Sequence, residues 1–246
     1  MPSVFTFARG MSTLFLGDSI TVDVNLGGYY RPLVSWAQAR YPQSPQARFS
    51  KSPGGLFVYS QVVETAGPTF ITGGSGISGG TTSDIIANWS TLVTPFEPFD
   101  CIIIELGIND WRHSFSNATI QANVNTIMSA PYAGQFTTKN PVLWVGPMCG
   151  DIGNGEDWSQ FVTAGQLALD SACSTIQTAV LANGGVYADI RTPFKSWEQA
   201  GNNPSHLGQG IMTVDGVHPG PTDGQPQPVL GQFLMCDWML PSVAFA

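Results

Sequence analysis

The stretch Cys101-Ile102-Ile103-Ile104-Glu105-Leu106 is the clearest strand in the sequence. It carries β-branched residues without polar alternation, which is typical of a parallel strand buried on both faces of its sheet. Short apolar runs of the same kind recur along the chain and are separated by longer segments of helical period. They predict further strands at Thr13–Leu16, Val142–Val145 and Val186–Ile190.

The segments between these strands have apolar residues at helical spacing. The predicted helices are Arg31–Tyr41, Thr82–Val93, Ala118–Met128, Phe161–Ala182 and Gln227–Leu240. Alternating strands and helices predict an α/β fold in which a parallel sheet is covered by helices on both faces. Right-handed crossovers then place the loops that follow the strands at one edge of the sheet.

The 246 residues are predicted to form a single domain, because no linker or internal repeat divides them. Residues 1–11 are predicted to be an N-terminal extension. Residues 42–75 are rich in Pro, Gly and Ser and are predicted to be an irregular insertion with one short strand near Phe70–Thr72.

The formal net charge of −8, with only nine scattered Lys and Arg, argues against two classes of partner. A nucleic-acid surface and a membrane-binding face both require clustered positive charge. No segment approaches the roughly 20 apolar residues of a membrane span. Met1–Gly10 lacks the pattern of a secretory signal, which leaves a cytoplasmic location and export by a removed signal both open. The oligomeric state is open as well.

The four cysteines are Cys101, Cys149, Cys173 and Cys236. No two have the spacing of a zinc site, so a metal is not expected. Cys101 opens an apolar run and is predicted to be a buried small hydrophobe. A Cys149–Cys173 disulfide is left open.

Two predicted strands are followed by polar loops at the same edge of the sheet. Gly17-Asp18-Ser19-Ile20 follows the first strand, where a serine hydroxyl can face a crevice; a helix cap is the alternative interpretation. Asn109, in Gly107-Ile108-Asn109-Asp110, offers a neutral amide donor suited to an oxyanion; a turn is its alternative.

Asp215-Gly216-Val217-His218-Pro219 places a carboxylate three residues before a histidine. Such a pair can hold the imidazole in one tautomer and stabilise the imidazolium formed during catalysis. A surface histidine is the alternative. The glycine-rich segment Gly74–Thr82 is either a flexible helix entry or the source of a backbone N–H donor.

In chain order these segments resemble the four blocks of the SGNH hydrolases, also called the GDSL esterase/lipase family. Ser19 matches the nucleophile, and Asp215 and His218 match the acid and the base. Gly79 and Asn109 match the oxyanion-hole glycine and amide, which join the backbone N–H of Ser19.

The resemblance spans about residues 12–240. It implies a flavodoxin-like α/β/α sandwich of about five parallel strands, a serine esterase activity that proceeds through an acyl-enzyme, and no cofactor or metal. Three departures from the family pattern affect the substrate pocket: the long segment 42–75, Gly73-Gly74 before the second block, and Gly80 where Asp is common.

The substrate expected from these features is a small-molecule or glycan ester, with a short-chain or O-acetyl carbohydrate ester favoured. Aromatic residues in the predicted loops suit sugar rings or an acyl pocket equally. They are Tyr29, Tyr30, Phe57, Tyr59, Trp111, Trp158 and Trp197.

Four alternatives remain. A lipase or thioesterase acting on longer acyl chains would be revealed by a chain-length series. An acyltransferase would give acceptor-dependent product. A glycan-binding module would have no use for an oriented base. A tail-associated protein would be found in a particle fraction.

Overall fold

The computed structural model describes residues 4–7, 12–22, 47–51, 56–62, 71–94, 100–129, 142–148, 161–201 and 230–245. Its strands are β1 (Phe5–Phe7), β2 (Ser12–Gly17), β3 (Ala47–Lys51), β4 (Leu56–Val62), β5 (Ile71–Ile77), β6 (Cys101–Glu105), β7 (Val142–Val145), β8 (Val186–Ala188) and β9 (Val243–Phe245). Its α-helices are α1 (Ser19–Val22), α2 (Thr82–Ala87), α3 (Trp89–Leu92), α4 (Ile108–Arg112), α5 (Asn117–Ser129), α6 (Ala164–Ala182), α7 (Arg191–Gln199) and α8 (Leu230–Met239), and a 3₁₀ turn covers Leu240–Ser242.

In the described part of the chain, the main sheet has seven strands in the order β3-β4-β5-β2-β6-β7-β8. The five strands from β5 to β8 in that order are parallel, which confirms the predicted parallel core of an α/β sandwich. β4 pairs antiparallel with β5, and β3 pairs antiparallel with β4.

The two antiparallel strands lie within residues 42–75, where an irregular insertion with one short strand near 70–72 was predicted, so this expectation was wrong for β3 and β4. The Leu56-Phe57-Val58-Tyr59 run has strong β propensity. The many Gly, Pro and Ser residues around it concealed that signal.

Both faces of the parallel sheet are buried, as the β6 sequence predicts. Phe15 and Ile103 lie in one apolar cluster, which also includes Phe194 of α7. Leu16 and Ile104 lie in a second cluster, with side chains of α2, α5 and α6. Neighbouring residues of one strand thus pack into different layers, which is the signature of a sheet covered on two sides.

Several elements differ from the sequence predictions, and the short helix α4 was not predicted. The predicted helix 82–93 is divided into α2 and α3 at Asn88, whose side chain donates to the Asp84 carbonyl (2.9 Å). The predicted strand 186–190 ends at Ala188, and α7 begins at Arg191 where no helix was predicted. The predicted helix 31–41 lies outside the described residues.

A buried ionic cluster joins α6, α7 and the segment after β7. Arg191 is 3% exposed; its guanidinium donates to Asp170 (2.9 Å), Gln166 (2.6 Å) and the Met148 carbonyl (3.1 Å). Lys195 donates to the second Asp170 oxygen (2.6 Å). Burial raises the pKa of Asp170, but the hydrogen bonds from Lys195 and Arg191 outweigh it, so the pKa lies below its ordinary value.

A separate two-stranded parallel sheet pairs β1 with β9. It incorporates Phe5–Phe7 of the predicted N-terminal extension. Cys173 is a free thiol whose Sγ donates to the Pro147 carbonyl (3.7 Å), and Cys149 lies outside the described residues. Among the described residues, no helix combines the length and the apolar character that crossing a membrane requires.

The strand order determines which loops meet. In the sheet, β2 lies between β5 and β6. The strands that follow β2 in the sequence first form on the β5 side and then, from β6 onward, on the other side. β2 therefore lies at the point where the strand order switches. Gly17 is in register with Gly76 of β5 and with Glu105 of β6. The turns that follow β2, β5 and β6 are therefore neighbours at the carboxyl edge, where open α/β sheets bind ligands.

Candidate active site

The turn after β2 is tightly packed and carries Ser19. A Cβ on Gly17 would lie 2.5 Å from the Glu105 carbonyl oxygen, so only glycine allows β2 and β6 to approach this closely. Asp18 is 0% exposed, and its Oδ1 accepts the Ile20 backbone N–H (2.9 Å). The Asp18 carboxylate therefore fixes the start of α1, and Ser19 follows it directly with 6% of its surface exposed.

The turn after β5 carries Gly79. Its φ of +72° is a left-handed conformation that L side chains rarely adopt, and no atom would crowd a Cβ there. Position 79 therefore favours glycine because of its backbone conformation, and not because neighbouring atoms leave no room for a side chain. The Gly80 N–H closes the turn on the Ile77 carbonyl (2.9 Å), and Thr81 then begins α2 with a capping box to Asp84.

Asn109 connects these two turns from its position in α4. Its Nδ2 donates to Asp18 Oδ2 (2.9 Å) and to the Gly80 carbonyl (3.1 Å). One buried side chain thus links the segments that follow β2, β5 and β6. The sequence predicted a donor directed at an oxyanion; in this structure both amide hydrogens already have acceptors within the protein.

Asp110 reinforces the connection between α4 and α2. Its carboxylate accepts the Thr82 N–H (3.0 Å) and the Thr82 hydroxyl, which in turn accepts from Asn123 Nδ2 (2.9 Å). Burial raises the pKa of Asp110, although the hydrogen bonds from Thr82 oppose that shift. The start of α2, directly after the Gly79 turn, is therefore anchored to the residue that follows Asn109.

Glu105 is the residue at this site that the sequence reasoning missed. It ends β6, is 0% exposed, and has its Oε2 3.5 Å from the Thr21 hydroxyl. Burial raises the pKa of Glu105 well above its ordinary value, and the nearby Asp18 carboxylate raises it further. The signal was present in the sequence, since an acidic residue within an otherwise apolar buried strand requires a specific partner.

The candidate acid and base, Asp215 and His218, lie outside the described residues, and their roles stay predictions. The structure therefore brings together Ser19, Gly79 and Asn109 of the predicted site. It adds Asp18 as the residue to which Asn109 is bound. Two of the aromatic residues proposed for the substrate pocket can be placed: Trp197 packs against the core, whereas Trp111 is 6% exposed, donates to the Gly165 carbonyl (2.9 Å) and lines a surface cleft.

Comparison with known families settles the broad class. The model of the GDSL-like Lipase/Acylhydrolase family matches residues 15–222, which include every candidate site residue. The chain belongs to this family. As a GDSL-like hydrolase it is a carboxylic ester hydrolase. No curated protein sequence matches it significantly.

Solved structures agree with the fold of this GDSL-like hydrolase. LAE5, an α/β hydrolase enzyme from the metagenome of Lake Arreo, Spain, is 16% identical with a TM-score of 0.67, covering 96% of both chains. Axe2, an acetylxylan esterase from Geobacillus stearothermophilus, is 17% identical with a TM-score of 0.65, covering 96% of this chain and 94% of its own. The acetyl xylan esterase AlAXEase is 18% identical with a TM-score of 0.66, covering 94% and 99%.

The hydrolase has an open cleft of about 650 Å³, and the first residue in the sequence that lines it is Trp111, two positions after Asn109. It lies between the segment from Trp111 to Asn117 and the first half of α6. Its lining is mixed, with exposed polar side chains such as Arg112 and Asn117 beside apolar ones such as Trp111 and Phe115.

Proposed function

We propose that this hydrolase cleaves short-chain or O-acetyl carbohydrate esters through an acyl-enzyme formed on Ser19. The observation that carries the proposal is the bonding of Asn109 to both Asp18 and Gly80. These two contacts join the serine turn, the Gly79 turn and the amide within one buried group. A serine whose neighbours are fixed in this way is held beside a buried amide donor, which supports its assignment as the nucleophile.

In the proposed first step, His218 accepts the Ser19 proton and Oγ attacks the ester carbonyl carbon. The carbonyl π electrons move to oxygen and form a tetrahedral oxyanion. When the intermediate collapses, the bond to the alcohol oxygen breaks, and His218 gives that oxygen its proton. Water, deprotonated by His218, then attacks the acyl-enzyme, and Ser19 recovers its proton as the acid leaves. Asp215 orients His218 throughout.

The oxyanion would be bound by the backbone N–H groups of Ser19 and Gly79 and by Asn109 Nδ2. For Asn109 this requires an exchange of acceptors. Its contact with the Gly80 carbonyl is the longer of the two and involves a neutral acceptor. A charged oxyanion is a stronger acceptor than a carbonyl, so we propose that this hydrogen bond moves to the oxyanion while the Asp18 contact persists.

Two observations support an acetylated glycan as the substrate. Axe2 and AlAXEase, which share the fold over nearly their whole lengths, are described as acetylxylan esterases. The cleft beside α4 combines polar side chains such as Arg112 and Asn117 with the aromatic ring of Phe115, and a sugar ring can use both kinds of contact.

The nucleophile is tested with Ser19→Ala and p-nitrophenyl acetate. We expect the variant to lose turnover, and we expect the acetyl adduct on acid-quenched wild-type enzyme to map to the Ser19 peptide. Ser75→Ala is the matched control, because Ser75 is a buried serine of the adjacent strand β5. Its Oγ has no hydrogen-bond partner in the described part of the chain. Equal rates for wild type and Ser19→Ala would refute the proposal.

The substrate class is tested separately, by acetate release from acetylated xylooligosaccharides and by a p-nitrophenyl ester series from C2 to C12. We expect acetate release from the glycan and a rate that decreases beyond C4. A rate that rises with chain length, without release of glycan acetate, would instead indicate a lipase or thioesterase.

A further inference from the structure

Glu105 is a buried acid that the proposed mechanism does not use. It is 0% exposed and lies opposite Gly17 in the register of β2 and β6, directly behind the serine turn. Asp18, the residue after Gly17 in that turn, is also 0% exposed, and its carboxylate is close enough to raise the pKa of Glu105. Two carboxyl groups therefore face each other without access to water.

Such a pair cannot hold two negative charges, because neither charge is solvated and each repels the other. The surroundings determine which group keeps the proton. Asp18 accepts hydrogen bonds from the Ile20 N–H and from Asn109 Nδ2, both at 2.9 Å, and these stabilise its ionised form. Glu105 accepts one long hydrogen bond, from the Thr21 hydroxyl to its Oε2 (3.5 Å), and its Oε1 accepts none from the described residues. The proton belongs on Glu105.

We propose that Glu105 is a positioning residue whose protonated carboxyl donates a hydrogen bond to Asp18 and thereby holds the Asp18–Asn109 contact in place for catalysis. The chain of contacts runs from Glu105 to the Asp18 carboxylate and from there to the Asn109 amide. Glu105 touches no reacting atom in this scheme. It acts through Asp18 on the oxyanion donor, so the inference rests on the role proposed above for Asn109.

The scheme implies a loss of activity at alkaline pH. When Glu105 loses its proton it stops donating to Asp18 and repels it, which disturbs the carboxylate that holds Asn109. Asp18 is the titratable group that faces Glu105 in the described part of the chain, and Thr21 of α1 faces it as a neutral hydroxyl. Asp110, the next acid along the chain, is turned toward Thr82.

The test compares Glu105→Gln with Glu105→Leu. The Gln amide can still donate to Asp18 but cannot titrate, so we expect kcat within about threefold of wild type and no alkaline decline. Leu has a similar volume but no donor. A lost hydrogen bond to a charged group corresponds to roughly a 10- to 100-fold decrease, which we expect in kcat with little change in KM. Equal kcat for Leu and wild type, or an equal loss for Gln and Leu, would overturn the proposal.

A double-mutant cycle tests the route through Asn109. If Glu105 acts through that amide, Glu105→Leu should cost little further activity in an Asn109→Ala background, whereas independent effects would multiply. Cys101→Ala is the control for a general disturbance of β6. Cys101 is equally buried but lies at the opposite end of the strand, and we expect this variant to lose stability without losing kcat.

A spectroscopic measurement separates this inference from the proposed function. Difference infrared spectra at neutral pH should show the carbonyl band of a protonated, buried carboxylic acid that Glu105→Gln abolishes. If the wild-type enzyme shows the band but has no esterase activity, the proposed function fails while the shared proton stands. If active enzyme lacks the band, the role of Glu105 fails alone.

Discussion

Replacing Glu105 with Gln should change how the stability of the protein depends on pH. Burial and the Asp18 charge raise the pKa of Glu105 well above the value of 4.5 expected for an unperturbed side chain. At pH values between 4.5 and the raised pKa of Glu105 in the folded state, the folded protein binds one more proton than the unfolded chain. The contribution of Glu105 is therefore fully present below about pH 4.5 and is lost as pH rises toward its folded pKa.

The magnitude follows from proton linkage. One proton held only by the folded state makes the free energy of unfolding decrease by at most about 1.4 kcal/mol per pH unit. Gln at this position binds no proton in either state. The free energy of unfolding of Glu105→Gln minus that of wild type should therefore increase steadily from pH 5 upward, with a slope approaching this limit for one group.

Urea unfolding of both proteins at pH 5, 6, 7 and 8 measures this difference. Glu105→Leu is the matched control: it should show the same slope against wild type, because it also removes the titration. The plot of its free energy of unfolding against pH should be offset from that of Glu105→Gln, because Leu loses the hydrogen bond to Asp18. A difference that is flat or that decreases with rising pH would show that Glu105 is ionised in the folded protein and would refute the reasoning.

Three further changes have defined outcomes. Asn109→Ala should lower kcat on p-nitrophenyl acetate by about 10²–10³, the usual effect of removing one oxyanion donor, and steady-state kinetics checks it. Gly79→Ala should destabilise the fold by about 1 kcal/mol, because alanine disfavours a φ of +72°, and should lower kcat as well; denaturation and kinetics measure the two effects. Asp170→Asn should cost about 1–2 kcal/mol at pH 7, less than for a fully buried pair because Asp170 is partly solvated. Since the pKa of Asp170 is lowered, its contribution is present above its unfolded pKa and is lost as pH falls; the cost of the Asn variant, followed by urea unfolding, should therefore shrink toward pH 3.

Periodicity predicted the parallel core well, because strands such as β6 and β7 are buried on both faces and leave a continuous apolar run. It failed for β3 and β4, which lie at the edge of the sheet within a segment rich in Gly, Pro and Ser. It also failed for α7. That helix begins at Arg191, a charged residue that sequence patterns place at the surface but that three acceptors hold in the interior.

The candidate site was predictable only as a set of positions. Short motifs identified Ser19, Gly79 and Asn109, and the order of the strands explains why these residues meet. The acceptors of Asn109 could not be predicted, because they depend on how the turns after β2 and β5 approach each other. Asp18 was available in the sequence as part of the Gly-Asp-Ser motif. Its burial, and its pairing with Glu105 at a distance of 87 positions, are properties of the folded sheet.

Under the two proposals above, the buried acid pair explains how a carboxylate can lie beside Ser19, the proposed nucleophile, without preventing catalysis. The reaction builds negative charge on the substrate oxygen, and every fixed anion nearby makes that charge more costly. Asp18 is required as an acceptor for Asn109, so one charge is unavoidable. A second charge on Glu105 would oppose the oxyanion and contribute no hydrogen bond. A protonated Glu105 limits the pair to one negative charge and partly neutralises it by donating to Asp18. In this proposal the same proton stabilises the turn and reduces the electrostatic cost of the transition state.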